Sequence, residues 1–173
     1  MIDFESSKPS PRPLGRRQLM LASALGVGGL ASSPVEAVGE VNPDGLRTSL
    51  HQEVVFKAPS SRLYEILLDS REFSAFSREA AQIDAWPGGA FSLFGGKIVG
   101  RTIELAPNAR IVQAWRPAYW EPGIYSLVKF ELRAEGERTR IVLDHWGFPQ
   151  GKFAGFDSGW PERYWRPLEK FLG

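Results

Sequence analysis

Histidine is the residue type best suited to acid–base chemistry near neutral pH. The chain holds two, His51 and His145, and no cysteine. The lack of cysteine excludes disulfides, thiolate nucleophiles and Cys-based metal sites. Asp144 precedes His145, but adjacent strand residues point to opposite faces, so the two cannot form an acid–base pair within one strand. No Gly-x-Ser-x-Gly elbow occurs, and the glycines before Lys97 lack the spacing of a phosphate loop. We therefore expect no catalytic residues, no metal and no cofactor.

The two histidines have different predicted environments. His51 shares a strand face with Glu53, which indicates a solvated surface position. His145 shares its face with Leu143, so it should point to the inner side of the sheet. Two interpretations of His145 stay open. It is a core histidine that bonds to a neighbour, or it is a polar anchor in an otherwise apolar ligand cavity.

Aromatic residues are the strongest chemical feature, with six Trp and eleven Phe in 173 residues. Trp160 and Tyr164 recur at helical spacing, which fits the core and also the roof of a cavity. Trp115 and Trp120 flank Pro117 at a strand end, where paired rings could clamp a flat or apolar ligand. We predict a ligand site built from Trp115, Trp120, Phe130, His145, Trp160 and Tyr164. Further polar contacts are candidates at Arg101, Gln113 and Arg116.

The predicted elements that must position these residues are mainly strands. Alternating or short apolar runs bounded by turn signals lie at 50–57, 90–94, 98–106, 110–116, 125–134 and 139–146. Two short helices follow the first strand. Ser60 or Ser61 should cap the first of them, and the second should carry Phe73 and Phe76. No strand–helix–strand alternation appears, so the predicted class is α+β with antiparallel hairpins.

A C-terminal amphipathic helix is predicted over residues 158–172. Trp160, Tyr164 and Leu168 recur every four residues, with charged side chains between them. Pro161 fits the first turn of such a helix. Pro167 does not fit a helix interior and should kink the helix.

The first 37 residues are predicted to be a secretory leader. Arg16 and Arg17 precede an apolar run over 19–31, and small residues surround Ala37. This order resembles a twin-arginine (Tat) signal, which predicts a periplasmic or secreted protein with no membrane span after cleavage. The alternative is a basic tail with an accidental apolar run. We expect a linker over 38–46 and the folded domain over 47–173.

The overall charge limits the class of partner. The formal net charge is +1, whereas nucleic-acid-binding domains carry a strong basic excess, so no nucleic-acid partner is expected. Cleavage after Ala37 would remove four basic and three acidic residues and leave a formally neutral chain.

Several short sequence motifs, in this order along the chain, resemble those of one superfamily. They are Gly88-Gly89-Ala90-Phe91-Ser92-Leu93-Phe94-Gly95-Gly96, Arg110-Ile111-Val112-Gln113-Ala114-Trp115-Arg116, Leu143-Asp144-His145, Gly147-Phe148-Pro149, Gly159-Trp160 and Tyr164-Trp165-Arg166-Pro167-Leu168. Together they resemble the START-like (SRPBCC, helix-grip) superfamily, in particular the family homologous to the C-terminal domain of the activator of heat-shock protein 90 ATPase. The resemblance implies a curved antiparallel sheet wrapped around a long C-terminal helix, with a cavity between them.

Three functional hypotheses follow. The leading one is an exported domain, without catalysis, that binds a small apolar or aromatic molecule under the C-terminal helix. The second is a protein-interaction module, as the resemblance to chaperone activators implies, although an exported protein would not meet a cytosolic chaperone. The third, also from the resemblance, is a polyketide cyclase-like enzyme in which His145 acts as acid or base with Tyr164 nearby.

Overall fold

The computed structural model of the chain describes residues 43–173, and the predicted leader lies outside them. The elements in chain order are helix α1 (Pro43–Leu46), strand β1 (Ser49–Phe56), helices α2 (Ser60–Leu68) and α3 (Ser70–Ser77), strands β2 (Gln82–Ile83), β3 (Ala90–Leu93), β4 (Ile98–Ala106), β5 (Arg110–Pro117), β6 (Ser126–Glu135) and β7 (Arg138–Trp146), helix α4 (Phe153–Trp160), a π-helical turn (Pro161–Trp165) and helix α5 (Arg166–Leu172).

The seven strands form one sheet in the order β1-β7-β6-β5-β4-β3-β2, and every neighbouring pair is antiparallel. Consecutive strands from β2 to β7 pair as hairpins or short connections, while β1 closes the sheet by pairing with β7. The helices α2 and α3 connect β1 to β2. This arrangement confirms the predicted α+β, helix-grip class. The strand β2 was missed because two residues give no alternation to detect.

The alternation in the sequence places the core. In β6, Ser126, Val128, Phe130 and Leu132 are buried, while the residues between them are only half-buried. In β7, His145 is buried on the inner face, as predicted, and Asp144 lies on the outer face. The inner face of the sheet therefore carries the apolar set on which the C-terminal helices pack.

The caps of the two connecting helices differ from expectation. The predicted cap of α2 by Ser60 or Ser61 is wrong, because both residues lie inside the helix and Pro59 precedes it without a side-chain cap. Asp69 instead caps α3, since its carboxylate accepts hydrogen bonds of 2.9 Å from the main-chain N–H groups of Arg71 and Glu72. An aspartate between two short helices can satisfy the free N–H groups of the second one, and this ends α2 where α3 begins.

The C-terminal helical segment is longer than predicted. It begins at Phe153 rather than at residue 158, because Phe153 is itself a core residue and anchors an extra turn. The guanidinium of Arg47 lies 3.6 Å from the centre of the Phe153 ring. Pro167 lies two residues after the end of a π-helical turn (Pro161–Trp165), which the N–H of Arg166 closes by donating to the carbonyl of Pro161. The irregularity expected at Pro167 thus takes the form of a wider turn before it.

The segment predicted as a linker includes helix α1 at its C-terminal end. The carbonyl of Gly45 in this helix accepts a hydrogen bond of 2.9 Å from the N–H of Gly151. Together with the Arg47–Phe153 contact, this bond ties the start of the described chain to the start of α4. Folded structure therefore begins a few residues before position 47.

Candidate functional site

An open groove of about 390 Å³ lies between one end of the sheet and the C-terminal helices. One side is formed by the β3–β4 turn, the start of β4 and the end of β5. The other side is formed by α4 and the π-helical turn. The lining residues are Phe94, Lys97, Ile98, Trp115, Pro117, Ala118, Tyr119, Gly155, Phe156, Gly159, Trp160, Arg163 and Tyr164. Nearly all are apolar, aromatic or glycine.

Three packed rings make the inner wall of the groove. The ring centres of Trp115 and Trp160 are 5.0 Å apart, and those of Trp160 and Tyr164 are 4.6 Å apart. Trp115 is fixed further because its Nε1–H donates to the Oε1 of buried Gln113 at 2.9 Å. Each of these three residues is only 3% exposed. Their side chains are therefore packed in place, and only a small part of each ring faces the groove.

Two glycines open the opposite wall. Gly155 and Gly159 lie one helical turn apart on α4, on the side that faces the groove. A Cβ built at either position would meet no atom within 4 Å. The groove is open at these two positions of α4 because neither has a side chain, while Phe156 and Trp160 of the same helix also line it.

His145 does not line this groove. It is completely buried, and both ring nitrogens have partners: Nδ1 accepts from the Nε1–H of Trp160 at 3.3 Å, and Nε2 lies 2.8 Å from Oγ of Ser126. Because the Trp160 indole can only donate, the proton sits on Nε2 and is donated to Ser126. Burial lowers the pKa of His145 to about 3, which keeps the ring neutral. The structure thus places His145 as a hydrogen-bonded core residue.

Two other predicted site residues lie behind the wall. Phe130 is buried, with its ring centre 5.6 Å from that of Trp160, and supports the wall from the sheet. Trp120 is 6% exposed and packs edge-on against Phe156 at 5.9 Å. Of the six predicted residues, the structure therefore brings Trp115, Trp160 and Tyr164 to the groove, and sets Trp120, Phe130 and His145 behind it.

The candidate polar contacts are engaged within the protein. Arg101 donates to the carbonyl of Gly88 at 2.9 Å, and Arg116 donates to the carbonyl of Trp120 at 3.1 Å. Gln113 holds Trp115, as described. Burial raises the pKa of the Tyr164 hydroxyl well above its ordinary value, so this group is not a base near neutral pH.

Residues 57–173 match the family described as Activator of Hsp90 ATPase homolog 1-like protein. The chain belongs to this family. The match covers more than half of the sequence and includes every residue that lines the groove. The predicted resemblance to this family is thereby confirmed.

The curated relatives that the chain matches are longer proteins. The uncharacterized protein C1711.08 of Schizosaccharomyces pombe is 33% identical over 137 residues, which cover 75% of this chain and 41% of that protein. The Hsp90 co-chaperone AHA1 of Saccharomyces cerevisiae is 27% identical over 150 residues, which cover 82% of this chain and 43% of that protein. The chain thus spans less than half the length of these relatives.

Solved structures of similar fold include an HSP90 activator from Plasmodium falciparum, PFC0360w, with a TM-score of 0.70 and 26% identity over 73% of this chain and 97% of that one. CalU16 from Micromonospora echinospora has a TM-score of 0.63 and 22% identity, and the match covers 72% of this chain and 76% of that one. At the latter identity, only the fold is shared.

Several lining residues of the groove were not predicted from the sequence, namely Phe94, Ile98, Phe156 and the two glycines of α4. A usable signal was the spacing of Gly155 and Gly159, four residues apart and interleaved with Phe156 and Trp160. Within residues 43–173, no cluster of three or more His, Asp or Glu side chains could hold a metal ion. No helix in that same range is long and apolar enough to cross a membrane.

Proposed function

We propose that this domain binds a small apolar or aromatic molecule in the groove between the sheet and α4. The observation that carries the proposal is an open groove of about 390 Å³ whose inner wall consists of the rings of Trp115, Trp160 and Tyr164. Ligand pockets are usually concave and mostly apolar, with volumes of roughly 300–1,000 Å³. This groove therefore suits a ligand of one to three fused or linked rings.

The wall is preorganised for such a ligand. The indole N–H groups of Trp115 and Trp160 are held by Gln113 and His145, so neither ring has to give up much freedom on binding. Lost side-chain freedom is one of the main costs of association, and a wall fixed in advance reduces it. His145 thereby supports binding without touching the ligand.

The test is a titration of the 173-residue chain with N-phenyl-1-naphthylamine, an uncharged fluorophore in which a naphthyl and a phenyl group are linked through one nitrogen. We expect saturable binding with a fluorescence increase. The Gly159→Leu variant should lose this binding, because its side chain would occupy open space in the groove and leucine is a good helix former. Saturable binding that the variant retains in full would place the ligand elsewhere.

We also propose that the protein is exported through its paired arginines. The support is the sequence order of Arg16-Arg17, an apolar run and Ala37. Replacing both arginines with lysine should block Tat-dependent accumulation in the periplasm. Unchanged accumulation of the variant would refute the proposal.

A protein partner is the second candidate function, and a specific surface favours it. A groove of about 410 Å³ lies between α3 and α5, and its charged lining residues are three cations, Arg78, Arg166 and Lys170, and one anion, Glu162. None of the three cations makes an ion pair with any residue of 43–173. Phe171 is exposed beside them. A groove with an excess of two positive charges and an apolar floor fits an acidic segment of a partner protein. The named relatives include Hsp90 co-chaperone activators.

The matching experiment measures the ATPase rate of a purified Hsp90-type chaperone with and without the chain. Stimulation that falls with Arg166→Glu and Lys170→Glu, but not with Lys57→Glu and Arg138→Glu, would support this function. No stimulation by the unmodified chain would argue against it. Export and a cytosolic chaperone partner exclude each other, so the localisation experiment bears on both candidates.

The cyclase-like alternative gains no support from the site. His145 would have to act as the acid or base, yet it does not line the groove and its two nitrogens already have partners. With a pKa of about 3 it also stays neutral throughout the physiological range and is a poor base.

A further inference from the structure

The charged residues that line the groove are both of one sign. Lys97 and Arg163 are the two charged side chains among the lining residues of the described domain, and both are cationic. Lys97 lies in the β3–β4 turn and Arg163 in the π-helical turn, so they approach the mouth from opposite walls. More than half of each side chain is exposed, at 61% and 58%, which leaves both heads able to reorient toward a bound molecule.

A single carboxylate, that of Glu79, serves both cations. Lys97 Nζ bonds to Oε2 of Glu79, and Arg163 Nη1 lies 3.8 Å from Oε1 of the same group. Glu79 does not itself line the groove. Two positive charges and one negative charge leave the mouth with an excess of one positive charge.

A further cation stands close to the mouth. Lys152 Nζ lies 5.7 Å from the centre of the Tyr119 ring, and Tyr119 is 73% exposed on the rim of the groove. The contact places the ammonium group near the face of the ring, where the π electrons attract it. The potential at the mouth is therefore positive from more than one side.

Each rim cation also adjoins an apolar wall residue along the chain. Lys97 precedes Ile98, and Arg163 precedes Tyr164. A flat body that lies against the wall rings would thus bring a substituent at its outer end to the two cationic heads. A charged group at that end would stay at the solvent boundary, so it would not be buried without a partner.

We infer that the ligand of this groove is an apolar or aromatic acid, with one anionic group at the end of a flat body. The inference rests on the proposed binding function and adds its chemical class. The anionic group would take a place beside Lys97 and Arg163 and use the positive charge that Glu79 leaves uncompensated. Carboxylate and sulfonate share the chemistry that these two cations recognise.

Two dyes with the same rings test the inference on the 173-residue chain. 8-Anilinonaphthalene-1-sulfonate carries an anionic group, whereas N-phenyl-1-naphthylamine lacks it. We expect the anionic dye to bind more tightly. The double variant Lys97→Gln/Arg163→Gln should weaken its binding about three- to tenfold, the range for one or two exposed ion pairs, and change the uncharged dye less than twofold.

Two further variants sharpen the result. Glu79→Gln should strengthen binding of the anionic dye about two- to threefold, because it releases both cations from their shared carboxylate. The control Lys57→Gln/Arg138→Gln makes the same change in net charge at the far end of β1 and β7, where both side chains are exposed. It should leave both dyes unaffected, and Gly159→Leu should remove both.

The outcomes separate the proposed binding function from the inferred class of ligand. If neither dye binds, the proposed binding function fails. If the uncharged dye binds and the anionic dye binds no more tightly, or if its affinity survives the double variant unchanged, the inference about the anionic group fails while the binding function stands.

Discussion

Replacing Gly159 with alanine should stabilise the domain while it narrows the groove. Gly159 lies inside a continuous helical segment, just before Trp160 and the π-helical turn. Its φ is not positive, since it is absent from the glycines with left-handed backbone. A Cβ at this position would meet no atom within 4 Å, so the added methyl group causes no clash.

The expected gain follows from helix propensity. Glycine in a helix interior costs about 0.8–1.0 kcal/mol relative to alanine, chiefly because the unfolded chain loses more backbone freedom on folding. For Gly159→Ala we expect the free energy of unfolding to rise by about 0.5–1 kcal/mol, with a Tm increase of about 2–5 °C for a domain of this size. Gly155→Ala should give less, because Gly155 is only the third residue of α4.

The assay combines urea unfolding with titration of N-phenyl-1-naphthylamine. The alanine variant should unfold at higher urea and bind the dye more weakly than the parent chain, and Gly159→Leu should bind weakest of the three. Gly123→Ala is the matched control, because its Cβ also meets open space but its φ of 92° is left-handed. That variant should lose about 1–2 kcal/mol of stability and bind normally.

A loss of stability in Gly159→Ala would contradict this prediction, since it would mean that α4 needs glycine there for the backbone and not for the groove. Unchanged binding in Gly159→Leu would show that the ligand does not enter between α4 and the sheet. A gain in stability with a loss of binding would show that glycine at position 159 lowers the stability of the domain and keeps the groove open for a ligand.

The remaining predictions concern the buried and surface histidines. The pKa of His145 is lowered to about 3, so protons bind the unfolded state preferentially as the pH falls below the ordinary value of 6.5. Stability should be full above pH 6.5 and about 2 kcal/mol lower at pH 5, and His145→Gln should flatten this dependence in unfolding experiments. Trp160→Phe leaves Nδ1 of His145 without its donor and should cost about 1–3 kcal/mol by the same measurement, before any loss of packing. On the surface, the hydrogen bond to Asp144 raises the pKa of His51, so its small contribution to stability is present at low pH and lost as the pH rises through that value. An NMR titration should place the pKa of His51 above 6.5, and Asp144→Asn should lower it; equal values in both proteins would contradict this assignment.

The sheet could be predicted from the sequence because strand alternation is local information. The inner face of β6, from Ser126 to Leu132, follows directly from every second residue being apolar or small. The orientation of His145 follows from the same rule. Alternation gives the face of the sheet on which His145 lies but not what packs above that face. Whether His145 borders a cavity or bonds to the helix depends on Trp160, which belongs to α4.

The groove could be predicted only in part, because its shape depends on where the helices pack on the sheet. Trp115, Trp160 and Tyr164 stand out by residue type, and the structure brings them to one wall. Trp120 and Phe130 have the same chemistry, but they lie one layer deeper, and layer depth depends on helix placement. The other wall is defined by two glycines, and a missing side chain leaves no apolar signal in the sequence.

The pairing of β1 with β7 has a consequence for folding kinetics. The contact between His51 and Asp144 joins residues that are 93 positions apart in the sequence. All eight register pairs of these two strands have similarly large sequence separations. Proteins rich in such non-local contacts fold slowly, because loop-closure entropy must be overcome before the pairing forms. During synthesis β1 emerges first and has no strand to pair with until β7 leaves the ribosome. The apolar side of β1, which includes Leu50 and Phe56, stays exposed until β7 has been synthesised. We therefore expect a chaperone that binds the nascent chain to act on this strand.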